Sequence, residues 1–185
     1  MFKPWPKITR LENKRPPIFT EKIDGTNACV VVHTLCGLEN YPKPICIYDE
    51  GDQQFGVWAQ SRTRLIYPNN DNYGFAKWVL ENAEDLVKLG EGHHFGEWWG
   101  QGIQRGYGLT EKRFSLFNTR RWGPYNPNTP KCCHVVPIIP VETPREAMNC
   151  LDFVGSLAAP GWMKPEGAVM YEPDTDTCFK IIMDK

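Results

Sequence analysis

Residues 18–33 constrain the fold more than any other part of this 185-residue chain. They read IFTEKIDGTNACVVVH, so a short strand-like run is followed by an Asp-Gly pair and then by β-branched residues. An Asp-Gly pair between two strand-like runs is typical of a tight β-hairpin. We therefore expect two paired strands joined by a turn at Asp24 and Gly25, and an antiparallel sheet around them.

The rest of the chain adds short strands and two helices. Strand-like segments lie at 57–61, 93–99, 113–118, 167–171 and 178–183. Residues 73–89 have apolar residues at helical spacing and are followed by Gly90. A capping box at Thr143 and Glu146 begins a second helix that we expect to end near Ala158. Many short strands with two helices predict an α+β fold built on antiparallel sheets.

Composition and proline content limit how the chain is divided into domains and where it forms loops. Proline-rich segments at 1–17 and 122–140 are expected to be an extended arm and a long surface loop. The 21 basic and 22 acidic residues exclude a uniformly basic coat, although residues 1–15 and 101–134 are locally basic. No composition shift indicates a second core, so we expect one domain over residues 1–185.

The cysteines and the apolar runs predict where in the cell the protein is located. The seven cysteines are odd in number and form no CxxC pair, which predicts free thiols rather than a disulfide framework. No run approaches the roughly 20 apolar residues of a membrane span, and the N-terminus lacks an apolar signal segment. We therefore expect no membrane contact and a cytoplasmic location, or the host cytoplasm if the protein is viral.

Six short motifs follow one another along the chain. A lone Lys-x-Asp-Gly would most simply be a surface turn with a solvated lysine, but here it begins an ordered series. The motifs are Glu21-Lys22-Ile23-Asp24-Gly25-Thr26-Asn27, Ser61-Arg62, Phe95-Gly96-Glu97, Phe114-Ser115-Leu116-Phe117-Asn118, Glu166-Gly167-Ala168-Val169 and Phe179-Lys180. In this order they resemble motifs I, Ia, III, IIIa, IV and V of the covalent nucleotidyltransferases, which include ATP-dependent RNA and DNA ligases and mRNA capping enzymes.

The resemblance covers residues 18–182 and is nearest to the phage-type RNA ligases, the RNA ligase 2-like branch that seals nicks in duplex RNA. The Glu-Lys-x-Asp/His-Gly-Thr-Asn form of the first motif and the Phe-Gly-Glu form of the third are typical of that branch. The resemblance implies an adenylation domain with a nucleotide pocket between antiparallel sheets. It also implies an enzyme that forms lysyl-AMP from ATP, transfers AMP to an RNA 5′-phosphate and seals it to a 3′-hydroxyl.

The resemblance makes Lys22 the nucleophile that attacks the α-phosphorus of ATP. An amine must be neutral to attack, and roughly a thousandth of a free lysine is neutral near pH 7.5. Burial and a second cation favour the neutral form, and Lys180 is the candidate cation and a partner for the α-phosphate. Glu166 and Asp24 are candidates for a Mg²⁺ (or Mn²⁺) site, because magnesium binds one or two carboxylates. The role of Asp24 as an ordinary turn residue is equally open.

The same resemblance assigns nucleotide contacts. Glu97 would bind the ribose hydroxyls and Arg62 the ribose or phosphate side. Phe114 and Phe117 lie three apart in a strand and so point to opposite faces, and the resemblance favours Phe114 as the ring that stacks on adenine. The remaining predicted nucleotide contacts are Glu21, Gly25 and Asn27. For the polynucleotide we expect contact with the basic residues of 101–134 and base stacking on Tyr107, Trp122 and Tyr125.

The sequence departs from the superfamily after the last motif. Members usually carry a second lysine two residues after the first, but position 182 is Ile, and most carry a further domain after motif V. The resemblance thus implies a ligase reduced to its nucleotidyltransferase domain, with a protein partner as one way to replace the C-terminal domain. Two alternatives are a minimal ATP-dependent DNA ligase and an inactive nucleotide- or RNA-binding module. The intact set of charged motif residues argues against the inactive module, because a binder needs no nucleophile.

Overall fold

The computed structural model describes residues 14–36, 41–123 and 126–183. Most of the predicted N-terminal arm and Tyr125 lie outside these residues. In the described part of the chain no helix is long and apolar enough to cross a membrane.

The described strands form two sheets. They are β1 (Ile18–Lys22), β2 (Thr26–Thr34), β3 (Cys46–Glu50), β4 (Gln53–Ser61), β5 (Leu65–Ile66), β6 (Gly92–Gly100), β7 (Lys112–Leu116), β8 (Cys133–Val135), β9 (Ile138–Ile139), β10 (Gly167–Glu172) and β11 (Thr177–Ile182). The small sheet has the order β11-β10-β1-β9, and the large sheet has the order β3-β4-β2-β6-β7-β8 with β5 beside β4. Every pair is antiparallel except β7 and β8. The α+β prediction is confirmed.

The predicted hairpin at 18–33 is wrong. β1 pairs with β9 and β10, whereas β2 pairs with β4 and β6, so Asp24 and Gly25 carry the chain from the small sheet to the large one. Gly25 is required by close packing, because a Cβ there would lie 2.5 Å from the Trp98 carbonyl oxygen and 2.7 Å from Trp99 Cβ. The segment predicted as a long loop, 122–140, also contributes β8 and β9.

The helices agree with prediction in position but not in length. The segment 73–89 divides into α1 (Phe75–Glu81), α2 (Ala83–Leu86) and a 3₁₀ turn (Val87–Leu89). The break lies at Asn82, whose side-chain amide donates to the Trp78 carbonyl at 2.8 Å and so competes with the helical backbone bond. The capping box of α3 (Pro144–Val154) is confirmed, but this helix ends at Gly155 rather than near residue 158.

Each sheet buries one face on helices. The large sheet packs Trp98, Phe114 and Leu116 against Phe75 and Val79 of α1. The small sheet packs a second cluster against α3, made of Phe19, Ile139, Ala147, Leu151 and Ala168. Because side chains alternate along a strand, the other face of β1 carries its even-numbered residues 18, 20 and 22. The faces that the helices leave open enclose the candidate site.

Candidate active site

A cavity of about 910 Å³ lies between the two sheets. This volume is within the usual range for sites that bind small molecules. The small sheet contributes Ile18, Thr20, Lys22, Val169 and Tyr171, and the large sheet and the residues after β7 contribute Asn27, Phe95, Glu97 and Phe117. The cavity therefore lies where the nucleotide pocket was expected.

Lys22 lines this cavity and contacts Glu166, which lies next to the cavity rather than in its lining, although 144 residues separate the two. Lys22 is the last residue of β1 and pairs with Gly167, the first residue of β10, so the strand register brings Glu166 beside it. Lys22 Nζ donates to Glu166 Oε2 at 2.7 Å, and the lysine side chain is 27% exposed. The amine is therefore held in place while remaining accessible from the cavity.

Glu97 is the buried carboxyl of the large-sheet wall. It is 8% exposed, and its two oxygens accept hydrogen bonds from Gly25 N at 3.1 Å and from Asn27 Nδ2 at 3.3 Å. Burial raises the pKa of Glu97 to about 7, against the attraction of Lys22 and the hydrogen bond from Gly25. Near neutral pH this carboxyl can therefore both accept and donate hydrogen bonds to hydroxyl groups.

Asp24 is engaged by residues that the sequence analysis did not single out for this purpose. Arg105 Nε donates to Asp24 Oδ2 at 2.8 Å, and the backbone N–H of Asp24 donates to Tyr107 Oη at 2.7 Å. Both partners lie in the glycine-rich segment QGIQRGYG, residues 101–108, directly after β6. Its glycine content is the sequence signal for a compact loop at this point. The sequence predicts Arg105 only as part of the locally basic segment 101–134, and Tyr107 as a base-stacking residue.

Glu21 does not offer its carboxylate to the cavity. Although the residue borders the cavity, its oxygens accept from Ser156 Oγ at 2.6 Å and from Ala158 N at 2.8 Å. Burial raises the pKa of Glu21, and these hydrogen bonds oppose the rise. Because Glu21 precedes Lys22 in a strand, its side chain points to the opposite face. We therefore correct its role from nucleotide contact to an anchor of β1 on the loop after α3.

The prediction for Phe114 is also corrected. Its ring is fully buried, with centroids 5.1 Å from Phe75 and 5.6 Å from Trp78, so adenine has no access to it. Phe117 points to the opposite face, is 41% exposed and lines the cavity next to Phe95. The spacing predicted opposite faces, but the packing of α1 decides which face is inside.

Two predicted base-stacking residues are also unavailable to a nucleic acid. Tyr107 and Trp122 are buried at 3% and 4% exposure. The exposed rings at the cavity are instead Phe95, Phe117 and His93.

Lys180 and Arg62 are both exposed. Lys180 pairs with Val169, and since directly paired residues share a face of the sheet, it lies on the same face as Lys22. Lys180 is not among the residues that line the cavity. The charged group in contact with Lys22 is the Glu166 carboxylate rather than the second cation that was expected. Arg62 follows β4 and is likewise outside the cavity lining.

The donor set fits a magnesium-like ion held partly by substrate. No group of three or more His, Cys, Asp or Glu in the described residues could hold a metal. Magnesium commonly takes one or two carboxylates and completes its coordination with water and phosphate oxygens. Glu166 and Asp24 each raise the pKa of Glu97 by repulsion, so a cation between these carboxylates would relieve that repulsion. Each of these carboxylates already has a cationic partner, Arg105 for Asp24 and Lys22 for Glu166, so both are equally placed as candidate ligands.

The fold is shared with solved RNA ligase structures. A variant of Naegleria gruberi RNA ligase with ATP and Mn is 21% identical, with a TM-score of 0.58 over 94% of this chain and 51% of that chain. The same enzyme with PPi is 22% identical, with a TM-score of 0.56 over 92% and 50% of the two chains. A variant with AMP and Mn is 21% identical, with a TM-score of 0.55 over 92% and 51%.

These likenesses establish the fold, and the present chain spans about half the length of the enzyme it matches. No curated protein sequence matches the chain significantly. The RNA ligase family, however, matches residues 15–182, which is nearly all of the sequence. The chain therefore belongs to the RNA ligase family.

Proposed function

We propose that the protein is an ATP-dependent RNA ligase in which Lys22 forms a covalent adenylate. The observation that carries this proposal is the contact between Lys22 Nζ and Glu166 Oε2, 2.7 Å long, beside a cavity that also contains Glu97. The two side chains are 27% and 16% exposed, so the pair is partly buried rather than a solvated surface contact. We further propose that residues 1–185 act as one nucleotidyltransferase domain, because both sheets contribute to a single cavity.

The cavity walls suggest how ATP is held. We place adenine between the exposed ring of Phe117 on the large-sheet side and Val169 on the small-sheet side, since an aromatic ring and an aliphatic side chain suit its two faces. The ribose hydroxyls then meet Glu97, and the α-phosphate lies at Lys22. Lys180, on the same face as Lys22, supplies positive charge to the phosphates.

The first step forms one bond and breaks another. The neutral amine of Lys22 attacks the α-phosphorus, the N–P bond forms, and the bond to the leaving pyrophosphate oxygen breaks. Glu166 holds the nitrogen and is the acceptor placed to receive its proton. A bound Mg²⁺ or Mn²⁺ at Glu166 would neutralise charge on the phosphates.

The later steps use the RNA ends as partners. An oxygen of the RNA 5′-phosphate attacks the phosphorus of lysyl-AMP, which frees Lys22 and leaves AMP on the RNA. The 3′-hydroxyl of the second end then attacks the 5′-phosphorus, the phosphodiester forms, and AMP departs. Because the matched enzyme is about twice as long, RNA sealing is the step for which a further domain or a partner protein is expected to matter most.

The test is transfer of label from α-³²P-ATP with Mg²⁺ or Mn²⁺, measured on denaturing gels. We expect labelled wild-type protein and complete loss of label in Lys22→Ala. The matched control is Lys77→Ala, which removes an exposed lysine of α1 paired only with Glu81, and should label normally.

Labelled protein is then mixed with nicked RNA duplex, single-stranded RNA and nicked DNA. Sealing of RNA supports the proposal, whereas sealing of DNA alone identifies a DNA ligase. A folded wild-type protein that never becomes labelled would identify a nucleotide- or RNA-binding module instead.

A further inference from the structure

Arg105 connects the two chain segments that carry the reactive pair. Its Nε donates to Asp24 Oδ2 at 2.8 Å, two residues after Lys22. Its Nη1 donates to the carbonyl oxygens of Lys164 at 3.0 Å and Pro165 at 3.1 Å, directly before Glu166. One planar guanidinium therefore ties the end of β1 to the start of β10, and it does so without touching the side chain of Lys22 or Glu166 in the described contacts.

Tyr107 adds a second connection to the same turn. Its hydroxyl accepts the backbone N–H of Asp24 at 2.7 Å, and its ring packs edge-on against Trp99 with centroids 5.0 Å apart. The ring also lies 5.8 Å from Trp162, whose Nε1 donates to the Lys164 carbonyl at 2.9 Å. The segment before Glu166 is thus fixed by Arg105 and Trp162 together, while Asp24 is fixed by both Arg105 and Tyr107.

The backbone of this loop is unusual. Gln104 and Tyr107 have φ angles of 44° and 54°, in the left-handed region that residues with a side chain rarely occupy, and Gly106 and Gly108 have 65° and 66°. Such conformations persist where surrounding contacts over-determine them, and they concentrate at functional sites. Here the side-chain contacts of Arg105 and Tyr107 hold the loop, together with its own backbone hydrogen bonds and the buried Ile103.

We propose that Arg105 and Tyr107 form a clamp that holds Lys22 in register with Glu166. Both are positioning residues: they act on the reaction through Asp24 and the segment 164–165. This inference rests on the proposed function, because Lys22 must attack for its alignment to matter. The strand register brings Glu166 beside Lys22, and the clamp fixes the ends of the two segments that carry them, so loosening it should slow attack on ATP more than it weakens ATP binding.

The test compares Arg105→Ala, Arg105→Lys and Tyr107→Phe with the matched control Arg113→Ala. Arg105 and Arg113 have similarly exposed side chains, 22% and 24%, but the described partners of Arg113 are Glu111, the Ala158 carbonyl and the Trp99 ring, and none of them is Asp24 or the segment 164–165. In single-turnover labelling we expect Arg105→Ala to slow adenylation at saturating ATP about 10- to 100-fold, with KM for ATP changed less than about threefold. The adenylation rate of Arg105→Lys should lie between those of wild type and Arg105→Ala, because one ammonium cannot span the carboxylate and both carbonyls. Tyr107→Phe should slow adenylation by a smaller factor than Arg105→Ala does. Arg113→Ala should leave the adenylation rate unchanged.

Two further readouts separate positioning from general loss of structure. Added ethylguanidinium should restore part of the rate of Arg105→Ala, which a misfolded variant would not allow. Hydrogen exchange should become at least about tenfold faster at the amides of Asp24 and Met183, whose acceptors are Tyr107 Oη and the Glu166 carbonyl. Arg113→Ala should leave both amides unchanged.

The two proposals can fail separately. If the wild-type protein is never labelled, the proposed function is wrong, and the exchange measurement alone then decides whether the clamp exists. If labelling is normal in Arg105→Ala, or if its loss appears only as a higher KM, Arg105 does not position the nucleophile. Unchanged exchange at both amides in Arg105→Ala overturns the clamp whatever the activity shows.

Discussion

The two walls of the cavity differ in what they present to a ligand. The small-sheet wall presents Lys22, a partly exposed amine in an ion pair with Glu166, the residue directly before the neighbouring strand β10. The large-sheet wall presents Glu97, a buried carboxyl, together with the exposed rings of Phe95 and Phe117. A positioned and accessible charge suits bond making, whereas a buried hydrogen-bonding group and flat apolar surfaces suit recognition of a nucleoside. The comparison predicts that the reacting amine lies on the small sheet, whereas most of the recognition groups lie on the large sheet and Val169 is the small-sheet contribution to recognition.

Because Glu166 contacts the reacting amine, we expect Glu166→Gln to lower the rate of adenylation rather than to weaken ATP binding. Gln keeps the size and can still accept a hydrogen bond, but it cannot take up the proton that Lys22 must lose. We expect adenylation at saturating ATP to fall about 100- to 1,000-fold, the usual range for loss of a general base, with a smaller change in KM. Single-turnover label transfer measures this. Glu172→Gln at the other end of β10 is the matched control, and equal loss in both variants would contradict the assignment.

Glu97→Gln tests the large-sheet wall through stability. The pKa of about 7 in the folded protein lies above the ordinary value of 4.5, so between these values the folded protein keeps a proton that the unfolded chain has released. The stability that this carboxyl contributes is therefore complete below about pH 4.5 and is lost as pH rises through about 7. Gln does not titrate, so wild type should lose about 3 kcal/mol relative to Glu97→Gln across this window.

The measurement is urea unfolding of both proteins at several pH values between 4.5 and 8. Taking the difference between two proteins removes the contribution of Glu21, whose raised pKa is common to both. Phe95→Ala leaves the carboxyl in place, so its difference from wild type should stay flat over the same range. Parallel curves for wild type and Glu97→Gln would show that the carboxyl is not desolvated.

The order of motifs predicted which distant segments meet, but not how. Lys22 and Glu166 come together through the pairing of β1 with β10, a long-range contact that leaves no mark in local residue spacing. For the same reason the Asp-Gly pair at residues 24–25 predicts a hairpin that the fold does not form. The signal reports a change of chain direction, and only the burial of β1 and β2 on different helices assigns them to different sheets.

Side-chain roles within a motif were predicted less well than the motif itself. Alternation correctly placed Phe114 and Phe117 on opposite faces, but the choice between them depends on where α1 packs. Arg105 was missed because a basic residue in a glycine-rich loop is equally typical of a solvated surface. Its three acceptors come from segments about 60 and 81 residues away, and only the folded chain assembles them.

The smallest expected effect decides which aromatic ring recognises adenine. Phe117→Ala should raise KM for ATP about tenfold and leave the rate at saturating ATP nearly unchanged, because stacking of a base on an aromatic ring contributes about 1–3 kcal/mol. Phe95→Ala is the matched control: it removes the neighbouring ring, which is already stacked on His93 with centroids 6.0 Å apart. We expect its KM for ATP to stay within about twofold of wild type. The reverse result would place adenine on the Phe95 side, away from Val169, and recognition would then not span both walls.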